Sequence, residues 1–263
     1  MNKKVERPEE ANTVYNRRTL DNDYRTLKSI LKPGMKVLDI GCGTGAISRD
    51  IAEFIGNKGH VIGIDRTASA IENGKQAYGD VPNLTLKAVD LFDFYSDEKF
   101  DLIVGARVLQ WLSTPKEALV KIKSLLKDGG QVSILDYNHN RLEWVPQPPI
   151  SMQRFYKAFL LWRKEAGMNN AIGSDLLHLL EEVGFENIHS INAQEDYTRD
   201  RNDFEDRLNI WSHVADLKQI IEEGYFTQKE RIKAKETYEE WVKTAAISMS
   251  MKLFDVRGTF TSK

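Results

Sequence analysis

Residues 36–46 read K-V-L-D-I-G-C-G-T-G-A, and this stretch decides the fold. Val37, Leu38 and Ile40 form a short run of branched apolar residues, suited to a strand buried on both faces of a parallel sheet. Three glycines follow within five residues, Gly41, Gly43 and Gly45. They let the chain turn sharply and approach a ligand with no Cβ in the way. Ala46, Ile47, Ile51, Ala52 and Ile55 then recur at helical spacing until Gly56. Strand, glycine turn and helix together predict a nucleotide cradle.

Gly41, Gly43 and Ala46 also satisfy the dinucleotide pattern G-x-G-x-x-A, with the acid Asp65 about 20 residues on. Asp39 discriminates, because a carboxylate two residues before the first glycine repels a pyrophosphate and welcomes a ligand bearing an ammonium and a sulfonium. V-L-D-I-G-C-G-T-G resembles motif I of the class I S-adenosylmethionine-dependent methyltransferases. The resemblance implies a doubly wound, Rossmann-like α/β fold: a seven-stranded, mostly parallel sheet with an antiparallel last strand. A nicotinamide-dependent oxidoreductase is the competing enzyme class, and a non-catalytic S-adenosylmethionine-binding protein the competing binding module.

The 263 residues suffice for one large α/β domain carrying insertions. A net charge of −2 with dispersed lysines gives no field for nucleic acid, so a small-molecule partner is expected. The one cysteine, Cys42, has no internal partner and points to a reducing compartment. M-N-K-K-V-E-R-P-E-E lacks the apolar core of a signal peptide, and no apolar run reaches spanning length. A cytoplasmic protein with no membrane partner is expected. No clustered ligand spacing suggests a metal.

Leu20, Tyr24, Leu27 and Leu31 predict a leading helix over 15–31, closed by Pro33-Gly34. Residues 1–32 then form an N-terminal helical lid segment before a methyltransferase domain at 33–263. Strands are expected at His60–Ile64, Leu84–Val89, Phe100–Val104 and Gln131–Leu135. Asp65 sits at the ligand-binding end of the second strand, where a carboxylate accepts two ribose hydroxyls or, alternatively, caps the next helix. The family resemblance continues through Asp90-Leu91, through G-A-R-V-L-Q-W-L, and through L-L-K-D-G-G-Q-V-S-I-L-D, where Asp128 stands for the usual proline. It implies cofactor contacts from Tyr15, Asp39, Gly41, Cys42, Gly43, Gly45, Asp65, Arg66, Asp90, Leu91, Ala106 and Arg107.

Beyond Asp136 two helical lid insertions are expected, at about 139–170 and 200–247. Met152, Phe155, Tyr156 and Phe159 share one helical face in the first. Ser174 is a candidate cap for a helix to Val183. Phe204, Leu208, Trp211 and Ala215 predict one helix of the second insertion, and Thr227 and Glu230 have capping-box spacing for another. Met249 to Phe260 reads as the closing strand.

The cofactor's methyl group is already activated, so the protein need supply only in-line approach and a dry site. Acceptor-facing candidates are Arg107, Gln110, Trp111, Tyr137 and Trp144; L-Q-W resembles enzymes that esterify carboxylates, which Arg107 could pair with. A hydroxyl acceptor would use a base, for which His139 or Asp136 is available. His139 in Y-N-H-N-R reads rather as a solvated loop histidine, and each helical-spaced aromatic among Trp144, Phe155, Trp162, Trp211 and Trp241 reads rather as core, although some of them together are expected to line the acceptor pocket. The acceptor atom, oxygen, nitrogen or carbon, stays open.

Overall fold

The structure, a computed structural model, describes residues 18–262; Tyr15 lies outside them. Among the described residues the leading segment holds one helical turn, α1 (Leu20–Asp23), then a 3-10 turn at Arg25–Ser29, where one helix over 15–31 was expected. Thr19 caps α1 by accepting the Asn22 N–H at 3.1 Å. Tyr24 then leaves the helical region at φ −151°, and its hydroxyl donates to Ser133 O at 2.8 Å inside the core. Burying that ring outweighs one more helical turn.

The αβ core follows as β1 (Lys36–Ile40), α2 (Ala46–Ile55), β2 (His60–Asp65), α3 (Ala68–Tyr78), β3 (Leu84–Ala88), β4 (Phe100–Ala106), α4 (Pro115–Leu125) and β5 (Leu126–Tyr137). Next come β6 (Glu143–Val145), α5 (Ile150–Glu165), α6 (Ile172–Val183), β7 (Glu186–Asn192) and β8 (Glu195–Thr198). The chain closes with α7 (Phe204–Leu208), α8 (Ile210–Val214), α9 (Lys218–Glu222), α10 (Gln228–Thr244), β9 (Ser248–Met251) and β10 (Leu253–Thr259).

The main sheet has the order β3-β2-β1-β4-β5-β10-β7. Leu38 is flanked in parallel by Ile62 and Ile103, while β10 runs antiparallel between β5 and β7, with Val256 opposite Ile134 and Ser190. The order reverses between β1 and β4, so the carboxyl ends of these two strands open a crevice. Alternating side chains of β1 feed two cores. Leu38 and Ile40 pack with Leu119, Ile122 and Leu176 of α4 and α6. Val37 packs on the other face with Ile51 of α2, in a cluster that runs on into Trp144, Phe155, Trp211 and Tyr238.

Four details depart from expectation. The second insertion holds four helices, α7–α10, where a helical pair was expected, although the Thr227–Glu230 capping box is present. α6 begins at Ile172, with Ala171 at its cap, and Ser174 Oγ instead accepts Asn138 Nδ2 at 2.8 Å. The segment expected as one closing strand divides at Lys252 into β9 and β10. β9 then joins β6 and β8 in a second sheet, with Met249 opposite both Trp144 and Tyr197. These strands of three and four residues pair across about 50 to 100 positions and carry no periodicity of their own. Among the described residues no helix is long and apolar enough to cross a membrane, and no group of three or more His, Cys, Asp or Glu could hold a metal ion.

Candidate active site

The glycine turn is a backbone cradle. Gly41, Gly43 and Gly45 have φ of 62°, 60° and 81°. A Cβ on Gly41 would stand 2.6 Å from Val108 Cγ2, and one on Gly45 2.7 Å from Leu86 Cδ2. Asp39, on the α2 side of β1, accepts Ser48 Oγ–H at 2.6 Å. Burial, with the nearby Asp65 adding to it, pushes the Asp39 carboxyl up to about 7. Cys42 lines the same wall, and burial, then Asp39 and Asp65, push its thiol well above the usual range, so it is no nucleophile.

Asp65 accepts the Gly43 N–H at 3.0 Å and the Thr67 N–H at 2.9 Å. It therefore ties the glycine turn to the start of α3. A carboxylate has about four acceptor sites, so one group can hold backbone N–H groups and still be of the type that accepts hydroxyls. Asp65 borders a recess with Arg66, Asp90, Leu91 and the apolar Ile40 and Ile64, while Asp90 shapes its own turn by accepting the Phe92 N–H at 3.0 Å. Gly41 and Trp111 line both this recess and a cavity beyond it, which reaches Asp39, Ala106, Tyr137, His139, Phe159 and Trp211. Recess and cavity thus share walls. Their chemistry fits an adenosine in the recess and a cationic amino-acid arm toward Asp39.

On the acceptor side, Arg107 sits at φ 62° after β4, with its N–H on Leu135 O at 2.6 Å. Its buried guanidinium is paired with Glu195 and donates to Tyr137 Oη at 2.6 Å and Asp23 O at 3.1 Å. Arg107 lines the cavity as expected, but its charge is already paired with Glu195, so an acceptor carboxylate would have to share it. Asp136 is fully buried away from the cavity wall. It accepts the N–H groups of Gln110 and Tyr137 at 3.1 and 3.2 Å, and burial pushes its carboxyl up to about 7. Its geometry is that of a turn anchor, which corrects the expectation of a base. Trp144 is also displaced from the acceptor list: its Nε1–H donates to Tyr238 Oη at 3.1 Å within the core.

His139 does line the cavity. Its ring lies among Tyr137, Phe159 and Trp211 at centroid distances of 5.5, 5.8 and 6.1 Å. Burial, reinforced by the Arg163 charge, holds the imidazole well below its ordinary value, so it is neutral at physiological pH. The expectation of a solvated loop histidine does not describe it. Gln110 and Trp111 lie in the 3-10 turn at Leu109–Trp111, with the Arg163 guanidinium over the Trp111 ring at 5.0 Å. Trp211 belongs to the insertion aromatics of which some were expected to line the acceptor pocket, and it does line the cavity; Phe159, Arg163 and Glu195 are partners that the sequence did not bring to the site. The helical spacing of the α5 aromatics hinted at Phe159, and no local signal pointed to Arg163 or Glu195. A more polar chamber of about 530 Å³ adjoins through Arg18, Arg107, Tyr137 and Met251.

The profile of the methyltransferase domain family matches residues 31–205. A malonyl-[acyl-carrier protein] O-methyltransferase of Anoxybacillus flavithermus is 31% identical over 109 residues, covering 41% of each chain. A demethylmenaquinone methyltransferase of Staphylococcus saprophyticus is 27% identical, over 62% of this chain and 76% of the relative. The phosphoethanolamine N-methyltransferase 2 of Haemonchus contortus, solved with phosphomonomethylethanolamine and S-adenosylhomocysteine, superposes with a TM-score of 0.58 at 17% identity. The match covers 91% of this chain and 52% of that one. The chain spans between 36% and 48% of the length of the first curated relatives it matches. It belongs to the methyltransferase domain family, in the class I fold whose cofactor is S-adenosylmethionine.

Proposed function

We propose that this chain transfers a methyl group from S-adenosylmethionine to a small-molecule acceptor, with oxygen or nitrogen favoured over carbon, inside the cavity bounded by the glycine turn and by His139. The observation that carries this reading is the shared wall: Gly41 and Trp111 border both the recess beside Asp65 and Asp90 and the aromatic cavity. When bound, the cofactor supplies a methyl carbon on a cationic sulfur, already activated toward a nucleophile.

The chain's residues would then divide the remaining work. Asp65 and Asp90 hold the adenosine end and Asp39 faces the charged arm. Phe159, Trp211 and Trp111 exclude water, which strengthens the interactions inside. His139, kept neutral, accepts the proton that a hydroxyl or amine acceptor gives up. Residues 18–32, with α5 and α7–α10, would act as the cover of the crevice, packed into the main core. The relatives named for malonyl-[acyl-carrier protein] and demethylmenaquinone support a small metabolite or carrier-bound acyl group.

Isothermal titration tests the reading. Micromolar binding of S-adenosylhomocysteine with none of NADH is expected, and the reverse overturns it. A crystal grown with S-adenosylhomocysteine and any co-purified compound would then identify the acceptor as the atom nearest the sulfur.

A further inference from the structure

Gln110 spends both ends of its side-chain amide. Its Nε2 donates to Arg107 O at 3.2 Å, which turns its Oε1 toward His139 Nε2 at 2.6 Å. A carbonyl oxygen only accepts, so the hydrogen on the imidazole resides on Nε2. A neutral imidazole has one N–H, and Nδ1 is therefore a bare lone pair. Among the described residues nothing hydrogen-bonds to Nδ1, and His139 is one of the residues that line the cavity.

We propose that Gln110 is a positioning residue that fixes His139 as the Nε2–H tautomer and so presents Nδ1 to the cavity as the proton acceptor of methyl transfer. The inference rests on the methyltransferase reading above. Gln110 is itself clamped, because its N–H donates to Asp136 Oδ2 at 3.1 Å and its C=O accepts Arg163 Nη2–H at 2.8 Å. The His139 backbone is clamped as well, donating to Asn170 O at 2.7 Å and accepting the Tyr156 hydroxyl at 2.6 Å. Four separate chain segments thus hold one ring in one orientation.

In the step, the acceptor's X–H proton moves to Nδ1 while the pair left on X forms the bond to the methyl carbon. The carbon–sulfur pair returns to sulfur, so the positive charge passes to the imidazolium and the cavity's total charge is unchanged. Nε2–H goes on donating to Gln110 throughout, so the positioning bond need not break. The acceptor atom accordingly carries a proton when it binds, as a hydroxyl, phenol or amine does.

Nitrogen-15 NMR of the full chain with labelled histidine tests this, with His139→Asn assigning the signal among five histidines. The wild type is expected to show a protonated Nε2 and a bare Nδ1 from about pH 6 to 8. Gln110→Glu is expected to shift the protonation equilibrium about tenfold or more toward imidazolium, and Gln110→Leu to mix the tautomers. Groups around the ring that would otherwise contribute are Arg163 and Tyr156 on α5, Asp136 and Tyr137 on β5, and Arg18, Asp39 and Arg107 around the cavity. All are unchanged in these variants. An Nδ1–H wild type, or a wild-type spectrum in Gln110→Glu, overturns the proposal; that variant decides alone if Gln110→Leu does not fold. The two readings fail separately, because missing S-adenosylhomocysteine binding sinks the function and leaves the tautomer measurement standing.

Discussion

The two halves of the crevice are built differently. On the β1–β3 side, the features are backbone turns and acids, each within a few residues of a strand end: the glycine turn after β1, Asp65 of β2 with Gly43 and Thr67, and Asp90 after β3 with Phe92. On the β4–β5 side, residues are held by side chains far along the chain: the Gln110 amide by His139 and its backbone carbonyl by Arg163, and Arg107 by Glu195. The first half is a motif, and the second is an assembly. A motif shapes itself through local sterics, whereas an assembly exists only after the core has formed, so mutations in the two halves are expected to report on different things.

The largest expected effect lies in the assembly. Arg107→Ala leaves Glu195, whose side chain is 12% exposed, without its ion-pair partner. Breaking a buried pair from one side costs about 3–5 kcal/mol, read as a lower midpoint in urea unfolding. A loss below that of Asp65→Ala would break the contrast between the halves. Asp65→Ala orphans two backbone N–H groups and is expected to cost about 1–3 kcal/mol while removing cofactor binding.

Next comes Gly41→Val. A Cβ there meets Val108 at 2.6 Å in a left-handed backbone, so about 100-fold weaker S-adenosylhomocysteine binding is expected by titration, near 3 kcal/mol. Gly41 and Val108 touch across the boundary, and affinity within threefold of wild type would show that the cradle is not a backbone device.

A smaller effect is carried by pH. Asp39 is raised from 3.8 to about 7, chiefly by burial, so the native state holds its proton where the unfolded chain has released it. The stability it contributes is present below its unfolded value and is lost as pH rises through about 7. The stability of the ligand-free wild type minus that of Asp39→Asn is therefore expected to fall from about pH 4 to about pH 7. A cation beside Asp39 favours its ionised form, so S-adenosylmethionine affinity is expected to rise about tenfold over that window in wild type and to stay flat in Asp39→Asn. Calorimetric titration across the window reads both variants, and parallel profiles would detach Asp39 from the charged arm.

The smallest effect tests the cover. Thr227→Ala removes the side-chain cap of α10, where Thr227 Oγ1 accepts the Glu230 N–H at 3.3 Å, and is expected to cost about 1 kcal/mol of thermal stability. S-adenosylhomocysteine affinity is expected to be unchanged, since α10 touches neither the recess nor the glycine turn. Weakened binding would tie the cover to the motif half.

Legibility followed the same division. β1, the glycine turn and α2 were readable because apolar periodicity and glycine punctuation act over a few residues. The Thr227–Glu230 capping box was readable for the same reason. The second sheet was not, because three- and four-residue strands acquire their identity only from the partner, as Met249 does from Trp144 and Tyr197. His139 illustrates the limit within the site. Its surroundings in sequence, Y-N-H-N-R, are those of an exposed loop, yet Phe159 and Trp211 enclose it.

By itself the sequence determined the doubly wound sheet, the glycine turn at 41–45 and the placing of Asp39 and Asp65 beside it. These depend on backbone conformation and on charge placed at strand ends, and both are encoded within short windows. Tertiary structure alone decided that Arg107 is neutralised by Glu195, that Asp136 anchors a turn, and that Gln110 meets His139. A side chain's charge state, tautomer and partner depend on burial and on hydrogen bonds made across the fold, and no local pattern of residues carries that information.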